Sequence, residues 1–165
     1  MSGTELVMYE EEFLKIQDIL EKLRKEANAE FVILVDKAGQ QIASTGNLRN
    51  IDTTSLASLT AGNVAATDGL AKLIGEKEFS ILFHEGEKDS IHISIVDQRL
   101  ILVVIFDEHS SLGLVRLRVK KAQGDLSDVF KEVLKKADQH MAGKGQEQSP
   151  FAEITDEDID SLFSE

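Results

Sequence analysis

The chain of 165 residues has no cysteine, no tryptophan, one proline and one tyrosine. Without cysteine there is no disulfide scaffold, no thiol nucleophile and no thiolate metal site. Long apolar runs are also missing. The longest, Leu100–Phe106, falls far short of the roughly 20 residues a membrane-spanning helix needs, so membrane insertion is not expected. Positive charge is scarce: 18 Lys and Arg against 30 Asp and Glu leave a formal net charge of −12. That sign opposes binding to a phosphate backbone, so nucleic acid is not expected as a partner. Glu5, Glu10, Glu11 and Glu12 open the chain with no basic stretch before an apolar one, unlike a secretory signal. A soluble, cytoplasmic protein is expected.

What is present is enough for a core, with 42% apolar residues. The negative charge is uneven. Residues 141–165 hold 7 acidic side chains and only Lys144, which is half the net charge in about one-seventh of the chain. The composition therefore divides the sequence into a domain over 1–140, a flexible linker over 141–150 rich in Gly, Gln and Ser, and an acidic segment over 151–165.

Tyr9, Phe13, Ile16, Leu20, Leu23 and Ala27 recur at helical spacing, with three glutamates in the first turn where the macrodipole favours them. Phe31–Val35 and Gln41–Thr45 read as a hairpin about a turn at Lys37–Gln40. Asp52 is a good N-cap for a second helix, with Ile51 and Leu56 placed as a staple, and that helix stops near Gly75. Three strands follow: Phe79–Glu85, Ser90–Val96 and Leu100–Phe106. In the second of these, Ile91, Ile93 and Ile95 alternate with His92 and Ser94, which predicts one buried and one wetter face. The third is apolar throughout and reads as the central strand. A last helix from about Ser111 to His140 presents Val115, Val119, Ala122, Leu126, Val129, Phe130, Val133 and Ala137. The order α-β-β-α-β-β-β-α predicts an α+β fold with a five-stranded, mainly antiparallel sheet.

No catalytic motif emerges. Gly69–Lys77 has the wrong spacing for a phosphate loop and sits at a helix end. His84, His92, His109 and His140 lack metal-ligand spacing; His84 and His92 would fit a solvated strand face. No cofactor, metal or catalytic residue is expected. Two other features are informative. The second helix has a large stripe (Leu56, Leu59, Ala66, Leu70, Leu73), expected against the sheet, and a small one (Ala57, Ala61, Ala65, Gly69), expected to admit another helix closely. Gly62 and Gly69 weaken a helix by about 1 kcal/mol each, which a close contact would explain. In the tail, Thr155 to Asp158 resembles a capping box, and Phe151, Ile154, Ile159, Leu162 and Phe163 give apolar anchors at helical spacing. So short a helix is unstable alone in water, so it reads as a segment that folds on docking. Arg116, Arg118, Lys120 and Lys121 form a basic cluster that is either a solvated face or a site for an acidic partner.

The element order, with MYEEEF (8–13), LVDK (34–37), NIDTTSLASLTAGNVAA (50–66), GLAKLIGE (69–76), LVVIFDEHSSLGLVRLRVKKA (102–122), SPFAEI (149–154) and DIDSLFSE (158–165), resembles the roadblock/LC7 family. The resemblance implies a homodimer whose edge strands join two sheets and whose second helices pair. It further implies that two protomers engage one Ras-like small GTPase and stimulate GTP hydrolysis by reorganising its switch residues, without an arginine finger. Arg49, before the second helix, is the only arginine near that surface. By the same resemblance Ala57, Thr60, Ala61, Val64, Ala65 and Asp68 would form the GTPase or dimer interface. The C-terminal segment would dock on the GTPase and promote nucleotide exchange, the setting would be cell polarity and motility at a cell pole, and the basic cluster would meet other polarity proteins. The alternative is a non-catalytic adaptor of the same family. A small-molecule sensor of similar topology is a third reading, for which no polar set lining a cavity is visible in the sequence.

Overall fold

The computed structural model describes residues 10–47 and 50–144, with side chains through 139. The elements are α1 (Glu10–Glu26), β1 (Phe31–Asp36), β2 (Gln41–Gly46), α2 (Thr53–Leu73), β3 (Ile81–Glu85), β4 (Ser90–Val96), β5 (Leu100–Phe106) and α3 (Leu112–Lys144). Element order and type match the expected α+β pattern. Two compact units divide the chain between Val129 and Phe130: the first holds the sheet with α1, α2 and the start of α3, and the second the rest of α3. The helix runs to Lys144, beyond the expected end at His140 and into the stretch read as linker. Met141 and Ala142 are good helix formers, so nothing stops it at His140.

All strands pair antiparallel in the order β2-β1-β5-β4-β3, which puts the all-apolar β5 at the centre as expected. The β4–β5 connection is three residues, Asp97 to Arg99; Asp97 and Gln98 both have positive φ (52° and 60°), as in a type I′ turn, and Arg99 N–H donates to the Val96 carbonyl at 3.2 Å. Ser127 Oγ on α3 donates to Asp97 and ties that turn down.

Alternation along the strands sorts the core into two layers. Phe31, Ile33 and Val35 of β1, Ile93 and Ile95 of β4, and Ile101, Val103 and Ile105 of β5 form one cluster with Ala57, Ala61 and Val64 of α2. The alternate residues Val32, Leu34, Leu102, Val104 and Phe106 face the other way. Ile16, Leu20 and Leu23 of α1 and Val115, Val119, Ala122 and Leu126 of α3 are buried there. That second layer corrects the reading of β4. His92 and Ser94 do not lie on a wetter face; both are buried, because helices cover the sheet on this side as well.

Candidate interaction surface

The α2 helix is well delimited. Asp52 caps its start, accepting from the backbone N–H of Thr54 at 3.0 Å and of Ser55 at 3.3 Å. The Ser55 hydroxyl also donates to Asp52, at 2.7 Å, and that bond above all, with the backbone ones, holds the Asp52 carboxyl below its ordinary range. At the other end Gly75, at φ 82°, closes a Schellman motif: Gly75 N–H donates to Lys72 and Glu76 N–H to Ala71.

The faces of α2 depart from the expectation. Of the small stripe, Ala57 and Ala61 point inward and are buried against the chain's own sheet with Thr60 and Val64, while Ala65 and Gly69 are exposed. The reason is proximity. The β1–β2 turn passes so close beneath the helix that a Cβ on Gly39 would lie 3.3 Å from Ser58 Cα and 3.6 Å from Ala61 Cβ. Small residues do permit a close approach here, but to this protomer's own hairpin. The large stripe is left outside: Leu59 is 73%, Leu70 57% and Leu73 82% exposed. Ala66 is exposed beside them, and of this stripe only Leu56 packs against the core. Of the six residues expected at the interface, only Ala65 and the half-exposed Asp68 reach the surface. Gly62 and Gly69 are exposed, and a Cβ on either would meet nothing within 4 Å, so nothing in the described part of the protomer accounts for them.

Beside this face runs β3, an outer strand of the sheet. Outer strands are commonly guarded by lysine or proline; β3 reads Ile-Leu-Phe-His-Glu, with Ile81 and Phe83 exposed. His84 Nε2 lies 3.1 Å from Asn63 Nδ2, which couples β3 to α2. Ile81 and Phe83 pair with Ser94 and His92 and so face the α1/α3 side of the sheet; on the α2 side, the exposed leucine stripe and the unguarded backbone edge of β3 are the features suited to association.

The remaining candidate residues divide as follows. His84 and His92 do not meet, because they pair with Ile91 and Phe83 respectively and lie on opposite faces. The basic cluster is split: Arg118 Nη1 pairs with Glu26 at 3.3 Å, whereas Arg116 and Lys120 line a cavity with His92. Phe151, Ile154, Ile159, Leu162 and Phe163 lie outside the described residues, as does Arg49. One grouping was missed altogether. Glu30, Asp89 and Asp107 bring carboxylate oxygens within 4.8 Å of one another. A hydrogen bond to Asp107, burial and the charge of Asp89 push Glu30 up to about 7. Hydrogen bonds from Glu30 and from His109 hold Asp107 near 2. These residues come from three separate strand ends, so no spacing in the sequence signals them.

The Roadblock/LC7 domain profile matches residues 15–106. Among solved structures, the chain is 64% identical to Myxococcus xanthus MglB over 77% of this chain and 96% of that one, with TM-score 0.73. It is 34% identical to the gliding protein MglB of Thermus thermophilus over 77% and 96%, with TM-score 0.71. It is 33% identical to an MglB with a tetrameric arrangement over the same shares, with TM-score 0.73. Among curated proteins nothing matches.

Proposed function

The chain belongs to the Roadblock/LC7 family, and on that premise we propose that it is a homodimeric regulator of an MglA-type Ras-like small GTPase. In this reading the chain contributes no catalytic site of its own. It stimulates hydrolysis by biasing the switch loops of the GTPase toward their competent arrangement, a shift that any partner with differential affinity for that state can drive. The observation that carries the reading is the outward leucine stripe of α2 beside the β3 edge, on a chain that covers 96% of an MglB at 64% identity.

Leu59, Leu70 and Leu73 each expose more than half their surface. Fully burying such a side chain is worth about 1.5–3 kcal/mol, and the stripe would be repeated on the second copy of a symmetric pair. The β3 edge supplies backbone hydrogen-bonding groups for a second strand. Two protomers joined there present both α2 helices to a single GTPase. The acidic 151–165 segment docks on that GTPase at a second place, with Phe151, Ile154, Ile159, Leu162 and Phe163 as anchors, and promotes nucleotide exchange. Activity in cell polarity and motility, and concentration at a cell pole, belong to the same proposal.

The test is binding and GTP turnover by the cognate GTPase with the full chain and with a chain ending at Lys144. Stimulation by the full chain supports the proposal. Binding without stimulation identifies the adaptor instead, and equal behaviour of both chains removes the tail from the mechanism.

A further inference from the structure

The α1/α3 side of the sheet contains a buried imidazole that the interaction surface does not use. His92, in the middle of β4, is 1% exposed, and neither Nδ1 nor Nε2 has a hydrogen-bond partner among the described residues. Ser94, two positions along and so on the same face, is fully buried, and its hydroxyl is likewise without a partner among the described residues. Leaving a buried polar group unpaired costs about 1–3 kcal/mol, and here three such atoms are concentrated in one part of the sheet. Burial is also the main cause holding the His92 pKa below its ordinary value, with the charge of Arg116 adding to it.

His92 lines a cavity of about 520 Å³, together with Ile81 of β3 and Arg116, Leu117, Lys120 and Gln123 of α3. That volume falls within the roughly 300–1,000 Å³ of small-ligand pockets. The lining is divided by chemistry. Arg116 and Lys120 stand four positions apart and so share one helix face. Among the described residues neither has an ion-pair partner, and no carboxylate lines the cavity. Ile81 and Leu117 add apolar wall, and both remain exposed. Gln123 is already held, donating from Nε2 to the Ile95 carbonyl at 3.2 Å.

We propose that this cavity binds a carboxylate carried on an apolar body. The carboxylate lies between Arg116 and Lys120, with the buried His92 ring beneath it as a reporter, and the apolar body rests on Ile81 and Leu117. Two neighbouring cations on a lining without a carboxylate suit an anion better than a neutral polar group. The apolar walls distinguish the ligand from a bare inorganic anion. The same chemistry is available from a small organic acid or from an acidic residue beside an aromatic one in a partner's peptide. The inference does not depend on the GTPase reading.

The experiment follows the His92 imidazole by NMR in the full chain with isotope-labelled histidine, its signals identified by their loss in His92→Gln. The chain is titrated separately with phenylbutyrate, with the neutral phenylbutyramide, and with the peptide acetyl-Leu-Glu-Phe-amide. A saturable displacement of the His92 signals by either carboxylate, with the amide inert, is expected. Phenylbutyrate alone would identify a small acid as the source, and the peptide alone an acidic segment. Arg116→Gln and Lys120→Gln change exposed positions, so they are expected to keep the native melting temperature and weaken binding about tenfold each. Lys121→Gln, outside the cavity, is expected to bind normally. No displacement by either carboxylate, an equal displacement by the amide, or undiminished binding by both variants would overturn the proposal.

Discussion

Truncating α2 one residue at a time discriminates the two faces of the helix energetically. Val64 is 3% exposed and packs in the cluster beneath α2, while Leu59 is 73% exposed. Val64→Ala removes two carbons at about 0.8 kcal/mol each, plus a cavity contribution, so a loss of about 2 kcal/mol is expected. For a chain of this size that is about 4–8 °C in melting temperature. Leu59→Ala should cost less than about 0.5 kcal/mol in the isolated protomer. The assay is urea denaturation followed by circular dichroism at two protein concentrations well apart. Any further loss for Leu59→Ala at the high concentration reports lost association, because binding stabilises by mass action. The opposite order at the low concentration, with Leu59→Ala costly and Val64→Ala neutral, would refute the assignment of faces. By the same logic Ala61→Arg would unfold the protomer rather than merely block a partner, since it places a guanidinium inside the core cluster.

Other outcomes follow from individual sites. Gly62→Ala and Gly69→Ala extend into open space, so each is expected to stabilise the dilute protein by up to about 1 kcal/mol; a lowered melting temperature at low concentration would contradict this. If α2 pairs closely with its copy, the same substitutions weaken self-association in sedimentation. Glu30 titrates near 7 in the fold against an ordinary 4.5, so between these pH values the folded chain holds the extra proton. Its contribution to stability is therefore present below about 4.5 and lost as pH rises through 7. Asp89→Asn removes a neighbouring charge, and urea midpoints at pH 5 and pH 8 should show it gaining on the native chain at the higher pH; equal differences at both would refute the coupling. Arg49→Ala is expected to leave GTPase stimulation nearly intact in a turnover assay, whereas a loss of about a thousandfold would reveal an arginine finger.

Secondary structure was legible because its signals are local. The Asp52 cap, the Gly75 stop and the apolar run of β5 each act through neighbours in sequence, and each stands where the pattern placed it. The orientation of α2 was not legible, since both stripes are apolar and size alone favoured burying the leucines. What decided the matter was the approach of the Gly39 turn, a contact made by a residue well before the helix. His92 was misread for a similar reason: alternation along β4 shows that two faces exist, but α3 covers the second, and α3 lies far along the chain. The Glu30–Asp89–Asp107 grouping has no linear signature at all. The carboxyl-terminal segment was legible as a composition, and its role stays with the proposal.

The central claim is that the α2 face of this chain acts on a GTPase. Single-turnover hydrolysis by the cognate Ras-like GTPase, loaded with GTP and mixed with saturating native chain or with Leu70→Arg, tests it most directly. Acceleration by the native chain is expected, and its loss with Leu70→Arg, which keeps a native circular dichroism spectrum because Leu70 is outside the core. An unchanged rate with the native chain, or full stimulation by Leu70→Arg, would contradict it.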